Sequence, residues 1–301
     1  MMVLVTSPRN ATARRTCQAL AAVLFLASSS TAALAAEEQA EKTEDASGDK
    51  IQFEKWQKYY RSVAAEYDME QGKEPPTRLK LQPEPVLSYA NPGGNGRGHG
   101  AMFVWTREGR PEILGAIWSR QPGDQRYVIH EMHSLSLEPL TATRNDKTFW
   151  SPTGPGIEPY LIPSAPEPAA TPALRLAQMR SLAREFSATT VRGTVERQLQ
   201  FRPQPVYRFE KPSAQRDGAV FVGFEDWDPE LLMLIETRTT QNSSRWHVGF
   251  ARFTNLPVSA RHKDVRIWSF KESADEGPMG GFDKRFYAVH GVDSLPAAGQ
   301  E

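Results

Sequence analysis

The sequence predicts an α+β protein in which a module of one helix and an antiparallel sheet occurs twice, related by a pseudo-twofold axis. Residues 100–118 ("GAMFVWTREGRPEILGAIW") and 218–236 ("GAVFVGFEDWDPELLMLIE") are identical at 8 of 19 aligned positions. Chance matching at ordinary residue frequencies would give about one identity. Flanking segments match at nearly the same spacing, so the repeat period is about 118–120 residues. In each copy a helical period precedes short apolar segments typical of strands.

This period corresponds to a domain-sized unit, because solenoid repeats are several times shorter. Between the copies lies "SPTGPGIEPYLIPSAPEPAATP", which is too rich in proline for a helix or a central strand. We therefore divide the chain into a signal peptide (1–35), a disordered acidic spacer (36–48), a first repeat (49–152), a proline-rich connector (153–170), a second repeat (171–270) and a C-terminal tail (271–301).

The N-terminal segment predicts export. Arg9, Arg14 and Arg15 precede an apolar run over residues 19–27, and Ala33-Leu34-Ala35 has the small-x-small form of a signal peptidase site. An uncleaved membrane anchor is the alternative. After this segment no apolar run approaches the roughly 20 residues that span a bilayer. We expect a secreted, periplasmic or cell-envelope protein without a membrane span after cleavage.

Cysteine content and charge exclude several classes of function. Cys17 is the only cysteine and lies in the predicted signal peptide. A mature chain without cysteine has no disulfide, iron–sulfur cluster or cysteine nucleophile. The formal net charge of +0 gives no sign of a nucleic-acid-binding surface. The sequence indicates no cofactor.

Each repeat is predicted to begin with a helix. Apolar residues recur at helical spacing at Phe53, Trp56, Tyr60, Val63 and Tyr67, and again at Leu176, Met179, Ala183 and Phe186. Thr171 followed by Pro172 is typical of a helix N-cap and first turn. Strands of the first repeat are predicted at about residues 86–89, 101–106, 113–118, 127–137 and 140–144, with counterparts in the second. The short connections favour antiparallel pairing.

Two of these strands are apolar without alternation, at residues 101–105 and 231–235. Such a strand is expected in a sheet that is covered on both faces. One face is available to the helix of the same repeat. We hypothesise that the other face packs against the other repeat, so that neither half is stable alone.

The string "HEMHS" holds the candidate catalytic residues, Glu131 and His133. His130 and His133 are a weaker candidate metal pair, because zincins place their histidines at i and i+4 on a helix. The surroundings predict a strand, where positions three apart point to opposite faces. A shared ion would then need a β-bulge, and we predict no metal site. Glu131 and His133 share a face with Tyr127 and Ile129, which permits a small polar pocket.

Three further features have weaker functional interpretations. The glycine-rich residues 93–100 connect two strands and lack a lysine, so they predict a hairpin loop and not a phosphate-binding loop. Asp226, Asp228 and Glu230 alternate as Ca²⁺ ligands can, but are predicted to form a solvated turn. Trp105, Trp118 and Trp227 have no aromatic counterpart in the other repeat and are candidate ligand-binding residues.

The chain resembles a group of uncharacterised exported proteins of planctomycete bacteria, through "GAMFVWTREGRPEI", "HEMHSLSLEPLTATRNDKTFWSP", "GIEPYLIPSAPEPAATPALRLAQMRSLAREFSA" and "RWHVGFARF". The resemblance covers most of the chain from about Pro83. It implies export and no particular activity, and offers no functional residues. The sequence therefore favours non-catalytic binding of an unknown small ligand or envelope protein. The alternatives are an exported hydrolase-like enzyme with a site near Glu131 and His133, and a structural envelope component.

Overall fold

A computed structural model describes residues 53–91, 98–121, 125–211, 216–240, 243–271 and 284–296. The predicted signal peptide, the acidic spacer and most of the glycine-rich loop lie outside these ranges. The chain divides into two units, Met1–Lys55 and Trp56–Glu301. Both repeats lie almost entirely in the second unit, and the packing described below is within it.

The described residues form two helices and twenty strands. Helix α1 covers residues 53–64 and α2 covers Pro172–Ala183. The first repeat contains β1 (Tyr67–Gln71), β2 (Thr77–Arg78), β3 (Lys80–Leu81), β4 (Leu87–Asn91), β5 (Gly98–Arg107), β6 (Arg110–Arg120), β7 (Gln125–Ser134), β8 (Leu140–Arg144) and β9 (Lys147–Trp150). The connector contains β10 (Tyr160–Leu161). The second repeat contains β11 (Phe186–Arg192), β12 (Val195–Gln198), β13 (Gln200–Phe201), β14 (Tyr207–Lys211), β15 (Arg216–Glu225), β16 (Asp228–Thr240), β17 (Ser243–Arg252), β18 (Val258–His262) and β19 (Val265–Phe270), and β20 (Phe286–Pro296) follows.

The predicted α+β class is wrong, because the fold is mostly β-sheet. The two predicted helices are too long at their C-terminal ends. Tyr67 and Phe186, predicted to be helical, are the first residues of β1 and β11. Both side chains are nevertheless buried in the same core as the preceding helix. In β1, Tyr67, Met69 and Gln71 are buried and alternate with more exposed residues, as in a strand with one covered face. Helix α2 does begin at Pro172, and the Thr171 hydroxyl accepts a hydrogen bond from the Leu174 N–H.

The strands form four antiparallel sheets, and the two repeats use the same order of elements. A four-stranded sheet has the order β2-β1-β8-β9 in the first repeat and β12-β11-β18-β19 in the second. A six-stranded sheet has the order β20-β7-β6-β5-β3 in the first and β10-β17-β16-β15-β13 in the second, with β4 and β14 also paired to β5 and β15. The predicted antiparallel pairing is confirmed.

Each six-stranded sheet is completed by a segment from outside its own repeat. Strand β10 follows the first repeat in sequence but pairs with β17 of the second. Strand β20 follows the second repeat and pairs with β7 of the first. The two added strands differ in length: β20 extends from Gln125 to His133 along β7, whereas β10 pairs only with His247 and Val248.

Alternate residues of the central strands enter different cores. Ala101, Phe103 and Trp105 of β5 pack in one core with α1 and the small sheet. Met102 and Val104 lie in a second core that also contains side chains of β15 and β16. This shared core holds Val220, Val222, Leu232 and Leu234, so the large sheets of the two repeats pack face to face. The hypothesis that both faces of residues 101–105 and 231–235 are covered is confirmed.

Within the described part of the chain, no helix has the length and apolar character needed to cross a membrane.

Candidate functional site

His130 and His133 point to opposite faces of β7. His130 is fully buried on the side of its own small sheet, where the Tyr67 hydroxyl contacts its Nδ1. His133 faces the second repeat, and its ring stacks on Phe253 with the ring centroids 3.7 Å apart. Among the described residues there is no group of three or more histidine, cysteine or acidic side chains placed to hold a metal ion.

His133 is held in one neutral form. Its Nδ1 lies 2.7 Å from the carbonyl oxygen of Arg252, so Nδ1 carries the proton and donates. Burial lowers the pKa of His133 to about 3, and this hydrogen bond opposes that effect only in part. The histidine therefore remains uncharged at neutral pH.

Glu131 lies on the same face of β7 as His133 and accepts a hydrogen bond from the Trp118 side chain. Burial raises the pKa of Glu131 to about 8; the Trp118 hydrogen bond opposes the shift, and the charge of Asp228 adds to it. A carboxyl group that is protonated near neutral pH is unusual and is found at functional sites and in structural networks alike.

The three candidate tryptophans do not line one groove. Trp105 is buried in the core beside α1, where its ring meets the edge of Tyr67 at 6.4 Å between centroids. Trp118 is partly buried on the other face of the sheet, against the shared core. Trp227 is 63% exposed in the turn between β15 and β16.

A buried ion cluster that was not among the predicted sites joins the two repeats. Arg110, Glu112 and Glu236 are all buried. The Arg110 guanidinium donates to both oxygens of Glu236, at 2.8 Å and 3.1 Å, and to Glu112 at 2.9 Å. Gln71 also donates to Glu112 at 2.6 Å. Burial raises the pKa of Glu112, and Arg110 opposes that shift.

The equivalent position in the other repeat has an acid in place of the arginine. Asp228 aligns with Arg110, Glu230 with Glu112, and Trp118 with Glu236. Burial raises the pKa of Glu230 to about 8, and the charges of Asp228 and Glu225 add to the shift. The predicted solvated turn at residues 225–230 is therefore only partly solvated, since Glu230 is buried.

A second polar cluster connects α1 to the sheet of the first repeat. Arg126 donates to the Ser119 hydroxyl at 2.9 Å, Ser119 lies 2.6 Å from the Tyr60 hydroxyl, and Tyr60 lies 2.7 Å from His99 Nδ1. Burial raises the pKa of Tyr60 and lowers that of His99 to about 4. Both groups are neutral, and Tyr60 separates Ser119 from the imidazole. This arrangement is unlike a serine nucleophile in contact with its base.

An open cleft of about 600 Å³ lies at the end of β17, where the connector and residues 284–285 approach it. We call it the β17 cleft. Among its described lining residues Arg252, Lys284 and Arg285 are basic and Glu158 is acidic. Aromatic side chains of Phe250, Trp268 and Phe270 form part of its wall.

Two of the basic side chains in the β17 cleft have described partners. Arg285 pairs with Glu158 at 3.1 Å, and this pair is largely exposed to solvent. The Arg252 guanidinium lies 3.8 Å from the ring centroid of Phe270, as in a cation–π contact. The cleft thus presents positive charge beside aromatic surface.

No protein-family model, curated protein or solved structure matches this chain.

Some of these residues can be predicted from the sequence and others cannot. The strand spacing correctly separated His130 from His133. The Arg110 cluster had a visible signal, because "REGRPE" and "EDWDPE" occupy the same turn with an arginine exchanged for an acid. The β17 cleft had none, because it depends on how far β10 and β20 extend along their partner strands.

Proposed function

We propose that this is an exported, non-catalytic protein that binds an anionic ligand or partner in the cell envelope, in the β17 cleft. The observation that carries the proposal is an open cleft of about 600 Å³ that combines three basic side chains with an aromatic wall. Clefts of roughly 300–1,000 Å³ are the usual size of ligand sites. The N-terminal sequence supports export.

The environment of the candidate catalytic residues favours binding over hydrolysis. Catalysis by Glu131 and His133 requires both side chains to face a substrate. His133 is instead stacked on Phe253 and bonded to the Arg252 carbonyl inside the junction of the repeats. Glu131 is hydrogen-bonded to Trp118.

A fluorescence titration tests the proposal with 8-anilinonaphthalene-1-sulfonate, a small aromatic anion. Saturable binding is expected to the wild type and to the control variant Lys80→Glu/Arg120→Glu, which makes the same change of net charge at exposed positions away from the cleft. Binding to Lys284→Glu/Arg285→Glu is expected to be about tenfold weaker, since two of the three cations are reversed. Equal affinity of the two double variants would disprove the site.

A further inference from the structure

In the first repeat, the position equivalent to the β17 cleft is filled by a segment of the chain itself. Residues 284–286 lie beside the end of β7 and lead into β20. The Ser134 N–H donates to the Arg285 carbonyl at 3.0 Å. The Trp150 indole N–H donates to the Lys284 carbonyl at 2.6 Å. In the first repeat this position therefore binds the backbone of a segment that leads into an added strand, which pairs with β7 from His133 onward.

The second repeat has the corresponding groups, and among the described residues no strand lies beside them. The β-sheet registers make Arg252 the counterpart of Ser134, and Trp268 the counterpart of Trp150. Trp150 is fully buried, whereas Trp268 is only partly buried and lines the cleft. The added strand β10 stops short of this region, because it pairs only with His247 and Val248.

The backbone of β17 is oriented to accept another strand. The Ile162 N–H donates to the Trp246 carbonyl at 3.0 Å, so the polar backbone groups of Trp246 point away from β16. In an antiparallel ladder every second residue has the same orientation. The N–H and carbonyl of Phe250 therefore point away from β16, on the side of the cleft. These are the groups that a strand beside β17 would engage.

The charge of the cleft specifies the chemistry of that strand. Arg252, Lys284 and Arg285 are the basic residues of its described lining, and Glu158 is the acidic one. Glutamate or aspartate side chains are complementary to this surface. Apolar side chains on the opposite face of the same strand suit the wall formed by Phe250, Trp268 and Phe270.

We propose that the β17 cleft receives an extended, acidic segment of a partner protein, which adds as a strand antiparallel to β17. This inference rests on the proposed function, since it identifies the occupant of the same cleft. The partner segment would lie beside β17 as Lys284–Phe286 lies beside the end of β7 in the first repeat. Strand addition at a sheet edge is a common mode of peptide recognition.

The test uses the purified protein and a fluorescein-labelled peptide of alternating glutamate and valine, followed by fluorescence anisotropy. Saturable binding is expected, and a peptide with lysine in place of glutamate is expected not to bind. Lys284→Glu/Arg285→Glu is expected to weaken binding about tenfold, while Lys80→Glu/Arg120→Glu retains it. Thermal unfolding verifies that each variant is folded.

Two N-methylated peptides separate strand addition from simple charge attraction. One carries methyl groups on the valine amides and the other on the glutamate amides, so each blocks one edge of the added strand. One of the two is expected to bind like the parent peptide and the other to fail, because only one edge faces β17. Equal behaviour of the two overturns the inference.

The small anion used above distinguishes the two proposals. If 8-anilinonaphthalene-1-sulfonate binds with the expected dependence on Lys284 and Arg285 but the acidic peptide does not, the strand inference is wrong and the binding function stands. If neither probe binds, both proposals fail.

Discussion

The Arg110 guanidinium and the Glu236 carboxylate form a buried, two-pronged ion pair that joins the first repeat to the second. Glu112 shares the same guanidinium. Removing one partner of a buried ion pair leaves an uncompensated charge, which is more costly than the pair itself is stabilising.

Arg110→Met is therefore expected to lower the free energy of unfolding by about 3–5 kcal/mol, measured by urea denaturation. Arg61→Met is the control, because Arg61 pairs with Glu84 at 2.9 Å on the exposed surface. That change is expected to cost less than about 1 kcal/mol. Equal losses in the two variants would show that the Arg110 cluster does not hold the repeats together.

The Glu131 carboxyl group makes the free energy of unfolding depend on pH. Burial raises its folded-state pKa to about 8. In the unfolded chain the group ionises near its ordinary pKa of about 4.3, so between these values the folded state binds the extra proton. The stability that this carboxyl contributes is complete below about pH 4 and is lost as pH rises through 8.

Glu131→Gln keeps an oxygen to accept the Trp118 hydrogen bond but cannot ionise. The variant and the wild type are expected to have similar stability at pH 4, and the variant to be more stable by on the order of 3 kcal/mol at pH 8. His99 and His133, whose lowered pKa values make the fold weaker in acid, are present in both proteins and cancel in the difference. Denaturation from pH 4 to 9 measures it, with Glu74→Gln at an exposed position as control. A difference that does not change with pH would contradict the assignment.

Gly218 is fixed by close approach of neighbouring side chains. A Cβ atom at this position would lie 2.5 Å from the Phe209 ring and 2.9 Å from Glu236 Cβ. Its counterpart Gly100 would meet Trp118 and Tyr89 in the same way, at 2.5 Å and 2.7 Å. The same close approach therefore occurs once in each repeat.

Gly218→Ala is expected to destabilise the protein by about 1–3 kcal/mol, because neighbouring strands must shift to admit the methyl group. Gly154→Ala is the control, since a Cβ there would meet nothing within 4 Å. The control is expected to leave the midpoint of thermal unfolding unchanged or slightly raised. Similar shifts in both variants would mean that the space around Gly218 can relax.

The central strands could be predicted from the local sequence, whereas several of the other strands could not. β5 to β8 were predicted because each has a distinct apolar pattern and a short connection to the next. β1 was missed because Tyr67 returns to the core at the spacing of the preceding helix. β10 and β20 pair with the opposite repeat, and no local pattern records a partner that is distant in sequence. The candidate cleft depends on those two strands, so it too could not be predicted.

The core shared by the two repeats predicts that neither repeat is stable alone. Residues 49–152 alone would expose the shared-core residues Met102, Val104, Leu114 and Ala116, and would leave the edge of β7 without β20. This fragment is expected to be insoluble or partly unfolded. Exposed apolar patches and open sheet edges both promote association.

Joining residues 284–296 to this fragment through a glycine–serine linker is expected to restore the β7 edge and leave the apolar face exposed. Because that face packs against a related face in the whole protein, the extended fragment is expected to dimerise through it. Light scattering coupled to size exclusion, with urea unfolding at several protein concentrations, measures this. If either fragment unfolded cooperatively as a monomer, the shared core would not be what makes the two repeats one folding unit.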